Sequence, residues 1–181
     1  EGLGYVGAPG TAPAGDGADS VEAHVAFVEG YREAIGLSRT ADARDAVEAL
    51  RALTRLEPAA VDVWMHLART AARLERHDVA LDAFRQALVI DAVSSAAHLG
   101  AATSCLRVRK LDEAEQQARA VLGLTGVDHI QTAEAHEVLA RVALGRRDAD
   151  GARREAIDAE AADADRPVRA FVEGRLALDA G

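Results

Sequence analysis

From Ser20 onward, apolar residues recur at every third or fourth position, which is the period of an amphipathic α-helix. Short polar or turn-forming stretches interrupt this pattern at intervals. Because such short connections join antiparallel neighbours, the pattern predicts an all-α fold of antiparallel helix pairs. The predicted helices span residues 20–38, 42–56, 60–74, 77–90, 94–108, 111–123, 130–145, 149–163 and 167–179.

Capping signals mark several of the predicted helix starts. Asp128 stands three positions before Gln131, and Asp19 stands three positions before Glu22, which in both cases is the spacing of a capping box. Pro167 lies where the first turn of the last helix tolerates a proline. The starts are thus indicated by local chemistry as well as by the period.

Residues 1–19 have a different character from the rest of the chain. They are rich in Gly, Pro and Ala and lack the helical period, which predicts a linker without regular structure. The spacing of Gly4, Gly7 and Gly10 invites comparison with a phosphate-binding loop, but a P-loop needs Gly-Lys-Ser/Thr between a strand and a helix. None of these accompanies the glycines, so the linker interpretation is favoured.

Small residues mark an internal repeat. The alanine of each second helix recurs at spacings of 34, 34 and 38 residues, and these alanines are Ala46, Ala80, Ala114 and Ala152. The small residue of each first helix recurs at spacings of 34, 34, 38 and 34, and these residues are Ala34, Ala68, Ala102, Ala140 and Gly174. We call each set of equivalent positions a repeat column. Two columns that share one period and one insertion indicate a stack of equivalent helix pairs.

The spacing resembles the tetratricopeptide repeat, whose pattern runs W-x2-L-G-x2-Y, then A-x3-F, then P. The residues of the copy at 61–94 that carry the resemblance are Trp64, Leu67, Ala68, Ala80, Phe84, Ala87 and Ile90. The resemblance implies an α-α superhelix whose concave face binds a segment of a protein partner. It divides residues 20–181 into copies at about 20–60, 61–94, 95–128 and 133–166, followed by a half repeat at 167–181.

Two departures from the family pattern concern the end of the array. Ala118 and Ala156 replace the large ring found at Phe84, which predicts thinner and less stable helix interfaces. The last copy stops after its first helix, which leaves Phe171 and Leu178 on an apolar strip without a cover. The strip predicts self-association through the last helix.

Composition agrees with a helical protein and narrows the choice of partners. Ala, Arg and Leu, which favour helices, are frequent, and aromatic residues make up only 3%. The net charge of −9 argues against a nucleic-acid partner, because binding phosphates needs a basic face. No apolar stretch approaches the ~20 residues that span a bilayer. The chain begins at Glu1 without a leader, which predicts a fragment and leaves its compartment, cytoplasmic or extracytoplasmic, open.

Residues suited to catalysis or metal binding do not form a recognisable set. His136 begins an H-E-x-x-H motif, but Ala140 takes the place of the second histidine. His98 and His136 share the repeat column of Trp64, which predicts half-buried packing residues. Cys105 falls in a packing column and is predicted to be a small buried hydrophobe. The sequence therefore predicts no catalytic residue, no metal and no cofactor.

Arginines recur just after the small residue of the first helices, on the side expected to face the concave groove. Ordinary solvent-exposed arginines in an Arg-rich chain would give the same pattern. The functional alternative is a stripe that binds acidic side chains or a carboxylate, because a planar guanidinium binds carboxylates bidentately. The predicted contact residues, with the apolar ones beside them, are Tyr31, Met65, Arg69, Arg73, Leu99, Leu106, Arg107, Arg141, Leu144, Phe171 and Arg175.

Two functions remain open at this point. Some tetratricopeptide proteins use asparagines to bind a chaperone tail, and this chain has none, so that ligand is not expected. The segment LGYVG at residues 3–7 is similar to the junction at which bacterial sulfatase-type hydrolases continue into tetratricopeptide repeats. The first function is a free-standing scaffold for a protein or peptide. The second is an accessory region of a metal-dependent hydrolase that lies upstream.

Overall fold

The computed structural model describes residues 16–40 and 43–180, which form an all-α fold of nine helices joined by short turns. The helices are α1 (Asp16–Ser38), α2 (Ala43–Leu56), α3 (Val61–Arg73), α4 (His77–Ile90), α5 (Ser95–Arg107), α6 (Leu111–Gly123), α7 (His129–Gly145), α8 (Ala149–Ala162) and α9 (Val168–Ala180). Within these ranges, every helix is too short or too polar to cross a membrane.

The helices form antiparallel pairs that stack into a superhelix. Each helix contacts the next one along the chain, and the first helices of successive pairs (α1, α3, α5, α7 and α9) also contact one another. The second helices (α2, α4, α6 and α8) make no such contacts in the described part of the chain. The first helices therefore lie closer together, and they line the concave face.

Helix α1 begins earlier than the sequence predicts. It starts at Asp16, so the assignment of residues 1–19 to a linker is wrong for residues 16–19. The segment contains two acidic residues and an alanine, which the first turn of a helix accommodates because acidic residues are favourable there. Asp19 lies inside α1 and is not its N-cap. The rest of the linker, including its glycines and the LGYVG segment, lies outside the described residues.

The repeat step of 38 residues becomes an extra turn of helix. Helix α7 has 17 residues, whereas α3 and α5 have 13 each. Its start agrees with the predicted capping signal, because the Asp128 side chain accepts a hydrogen bond from the Gln131 N–H at 2.7 Å. Gly126, with a φ of 76°, turns the chain just before this cap.

The two small-residue columns form the centre of the helix packing. All eight alanines in them are completely buried, which lets neighbouring helices approach closely. Gly174, which ends the first-helix column, is exposed because no second helix follows α9 in the described range. The repeat register predicted from the sequence is therefore confirmed for the paired helices.

Large and small residues exchange places between successive helix interfaces. Phe84 of α4 is buried, and its ring lies so close to Gly100 of α5 that an added Cβ would overlap it. In the two later interfaces, alanine stands at the ring position and a buried valine at the glycine position. These pairs are Ala118 with Val138 and Ala156 with Val172. The valines supply part of the volume that the missing ring would have filled.

Ring nitrogens at Trp64 and at the equivalent position one repeat later join two of the helix pairs to the preceding turn. Trp64 Nε1 donates to the carbonyl of Pro58 at 2.9 Å. One repeat later, His98 Nε2 lies 3.1 Å from the carbonyl oxygen of Ala92, and its Nδ1 lies 2.7 Å from the side-chain oxygen of Gln117. His98 is half-buried, as predicted, and its ring links the turn before α5 to the second helix of the pair, α6.

Candidate binding groove

A groove of about 1210 Å³ opens on the concave face between α5, α7 and α9. We refer to it as the C-terminal groove. Its apolar lining residues are Leu99, Leu106, Val138, Leu144, Phe171 and Leu176. Its charged lining residues are Arg107, Arg109, Arg141, Arg147, Arg166, Arg175, Glu134, Glu137 and Asp179.

The charge of the C-terminal groove opposes the charge of the chain. Six arginines line it against three carboxylates, whereas the whole chain carries a net charge of −9. The groove therefore concentrates positive charge on a protein that is negative elsewhere. Local enrichment of one sign attracts ligands of the opposite sign and raises their association rate.

Arg166 contacts two of the three carboxylates in the groove. It precedes α9, and it donates from Nη2 to Glu134 Oε1 and from Nη1 to Glu137 Oε2, both at 2.8 Å. The guanidinium is half-buried, so it is held more rigidly than a freely solvated side chain. This arrangement links α9 to α7 and leaves Glu134 and Glu137 already occupied.

Two of the predicted arginines each contact an acidic residue of their own helix. Arg141 donates to Glu137 from Nη2 at 2.7 Å, and its guanidinium lies 4.6 Å from the centroid of the Phe171 ring. Arg175 lies 3.8 Å from Asp179, at the outer limit of an ion pair. Both side chains remain exposed to solvent and keep further N–H donors free for a ligand.

The other arginines of the groove are unpaired. Arg107, Arg109 and Arg147 are exposed, and they make no ion pair with any residue in 16–40 or 43–180. An unpaired guanidinium presents a complete donor fork to a carboxylate. These three residues are the strongest candidates for contacting an acidic ligand.

The structure brings together seven of the eleven predicted contact residues. The seven line the C-terminal groove, and they are Leu99, Leu106, Arg107, Arg141, Leu144, Phe171 and Arg175. The sequence did not identify Arg109, Arg147 and Arg166, which lie in turns and outside the first helices. Arg109 and Arg147 occupy the turn position that Glu75 holds in an earlier repeat, so aligning the repeats would have placed them side by side.

The remaining four predicted residues lie in the N-terminal half, outside this groove. Met65 was predicted as a contact residue, and it lies in the main hydrophobic core with an exposed fraction of 8%, the same as that of Leu99 in the C-terminal groove. Arg73 is exposed, and its guanidinium donates to the carbonyl of Ser38 at the end of α1. Arg69 is exposed and has no ion-pair partner among the described residues.

Tyr31, the fourth of these residues, is covered by its neighbours. Its ring meets His66 edge-on at a centroid distance of 5.5 Å and stacks on Phe27 at 6.4 Å. Burial is the main cause that raises the pKa of Tyr31, and burial followed by the charge of Arg69 lowers the pKa of His66. At neutral pH both rings are therefore uncharged packing residues.

The surroundings of Cys105 and His136 are those of residues that pack between helices. Burial, followed by the charge of Glu113, raises the pKa of the Cys105 thiol to about 11, so it is not an activated nucleophile. His136, Glu155 and Asp158 are the one group in the described residues with atoms close enough to share a metal ion. The His136–Glu155 contact of 2.8 Å repeats the bond between His98 and a glutamine one repeat earlier. This contact is therefore explained as a bond between paired helices.

Comparisons with known proteins agree with this architecture. Residues 31–97 match the sequence model of the tetratricopeptide repeat family. No curated protein shows significant sequence similarity to the chain.

Solved structures with the same fold include two of MamA and one of PilF. A crystal structure of MamA protein superimposes with a TM-score of 0.72 at 14% identity, covering 87% of this chain and 85% of that one. MamA from Desulfovibrio magneticus RS-1 gives 0.69 at 17% identity, covering 82% and 85%. PilF from Pseudomonas aeruginosa gives 0.67 at 15% identity, covering 83% and 69%. At these identities the similarity shows the fold.

Proposed function

Because the chain carries tetratricopeptide repeats, we propose that it is a non-catalytic protein-interaction scaffold that holds an extended acidic segment of a partner protein in the C-terminal groove. The observation that carries this proposal is the surplus of arginine in the groove of an acidic protein. A guanidinium without an acidic partner in the protein is available to a ligand. Three of the six have no such partner in the described residues.

The lining of the groove favours a peptide over other anions. Leucine, valine and phenylalanine side chains line the groove together with the arginines of α5, α7 and α9. A segment with acidic and apolar side chains would satisfy both kinds of lining, whereas a nucleic acid would meet the repulsion of a chain with a net charge of −9. We therefore commit to an acidic protein segment as the occupant.

The proposal is tested by fluorescence anisotropy with a labelled peptide in which Glu and Leu alternate. We expect it to bind the wild-type protein and to lose affinity as salt rises from about 50 to about 500 mM, because screening weakens exposed charge pairs. A matched peptide with Gln in place of Glu is expected to bind at least about tenfold more weakly, a difference of about 1.4 kcal/mol. Equal binding of both peptides, or no binding of either, would contradict the proposal.

Two further functions stay predictions. Self-association through α9 rests on Leu178, which is 74% exposed, but Arg141 already covers part of the Phe171 ring in the same strip. The role as accessory region of a sulfatase-like hydrolase rests on residues 3–7, which lie outside the described residues. Neither has a contact in the structure that favours it over peptide binding.

A further inference from the structure

Three turns of the solenoid share one unusual backbone conformation. The turns that follow α3, α5 and α7 contain Glu75, Arg109 and Arg147 with φ values of 57°, 62° and 63°. In each turn, the N–H of this residue donates to the carbonyl three residues earlier, and the next N–H donates to the carbonyl five residues earlier. These two bonds define the Schellman motif that ends a helix in a left-handed residue.

Glycine is the usual occupant of that position. The left-handed region brings the Cβ of an L-residue close to its own carbonyl, and glycine has no Cβ. An arginine there is less favourable than a glycine would be, and the chain has it twice. Strained residues of this kind concentrate at functional sites when their side chains are needed there.

The three turns differ in where their side chains lie. Arg109 and Arg147 line the C-terminal groove, one repeat apart, exposed and without an ion-pair partner in the described part of the chain. Glu75 has the same backbone conformation but lies outside the groove. The backbone conformation is thus common to all three repeats, whereas the guanidinium at the groove belongs only to the two repeats that form it.

We propose that Arg109 and Arg147 are specificity-determining residues that bind two carboxylates of the partner segment, and that this is why arginine occupies a glycine position. The proposal rests on the proposed function, because it assigns two residues to the same groove. The α5 and α7 turns present these two guanidinium forks from adjacent repeats. A carboxylate bound by such a fork forms two parallel charge-assisted hydrogen bonds.

The test combines stability and binding in the variants Arg109→Gly and Arg147→Gly, singly and together. We expect each glycine to raise Tm by about 2 °C, because the left-handed turn becomes favourable. We expect the double variant to bind the Glu/Leu peptide at least about tenfold more weakly than wild type. The matched control Glu75→Gly is expected to raise Tm by a similar amount and to leave peptide affinity unchanged.

The outcomes separate this inference from the proposed function. Full affinity in the Arg109→Gly/Arg147→Gly variant would overturn the inference while the wild-type binding still supported the scaffold. Failure of the wild type to bind the peptide would overturn both. An equal loss of affinity in Glu75→Gly would show that the turns act through backbone rigidity, and this would also overturn the inference. The variants Arg109→Asn and Arg147→Asn, which also tolerate a positive φ, are expected to reproduce the loss of affinity.

Discussion

Replacing Phe84 by alanine and Gly100 by valine in the same chain is expected to destabilise the protein by at least about 1.5 kcal/mol less than the two single replacements added together. The Phe84 ring lies where a Cβ on Gly100 would be, so Gly100→Val overpacks the α4–α5 interface. Overpacking of this kind costs typically about 1–3 kcal/mol. Phe84→Ala leaves a cavity in the buried core and costs about 3–5 kcal/mol.

The double variant copies a pair that the protein already uses. One interface later, the same two positions hold Ala118 and Val138, and both are buried. Valine fills part of the cavity that the ring leaves, and the smaller alanine removes the overlap. We therefore expect a favourable coupling free energy of at least about 1.5 kcal/mol between the two sites.

Urea unfolding of the wild type, the two single variants and the double variant measures this coupling free energy. Gly36→Val is the matched control, because a Cβ at Gly36 has no atom within 4 Å, and its effect on the free energy of unfolding is expected to stay within about 0.5 kcal/mol. Strictly additive losses in the double variant would show that Phe84 and Gly100 are not complementary.

Reversing two charges in the C-terminal groove is expected to weaken binding of the Glu/Leu peptide by about 10- to 100-fold, or about 1.4–2.8 kcal/mol. The variant is Arg107→Glu/Arg147→Glu. Neither arginine makes an ion pair with a described residue, so the reversal breaks no internal bond. Glu75 shows that a glutamate is accommodated at the turn position of Arg147. The loss therefore reports repulsion of the ligand.

The matched control changes the net charge equally outside the groove. Arg32 of α1 and Arg154 of α8 are exposed and do not line it, and they also have no ion-pair partner in the described ranges. Arg32→Glu/Arg154→Glu is expected to bind with nearly wild-type affinity. Peptide affinity is measured by anisotropy at one salt concentration. A similar loss of affinity in both double variants would show that binding depends on overall charge and not on the groove.

The repeat register explains why much of this fold was predictable. Completely buried alanines at constant spacing are required wherever helices of a solenoid cross, so the columns of Ala34 and Ala46 fix each later pair. The start of α1 was not predictable in the same way. Residues 16–19 contain a glycine and one small apolar residue, Ala18, which does not distinguish a first turn from a linker.

The candidate site was predictable only in part, because a residue's place within a repeat does not say which repeats line the groove. Arg107 and Arg141 line the groove, since their column faces the open concave side. Met65 stands in the same column as Leu99 and is equally buried, but it lies outside the C-terminal groove, which is lined by α5, α7 and α9. Arg109 was missed because it lies in a turn with a left-handed residue. Such a turn is normally recognised in a sequence by a glycine, and here the position holds an arginine.

The central claim is that an acidic segment binds between α5, α7 and α9, and NMR titration tests it most directly. Isotope-labelled wild-type protein is titrated with the Glu/Leu peptide while amide chemical shifts are followed. The account predicts saturable shifts concentrated on these three helices and the two turns after α5 and α7, including Thr103, Arg109 and Arg147, with the amides of α2 and α4 unchanged. Shifts centred on the second helices, or on the surface around Tyr31, would contradict it.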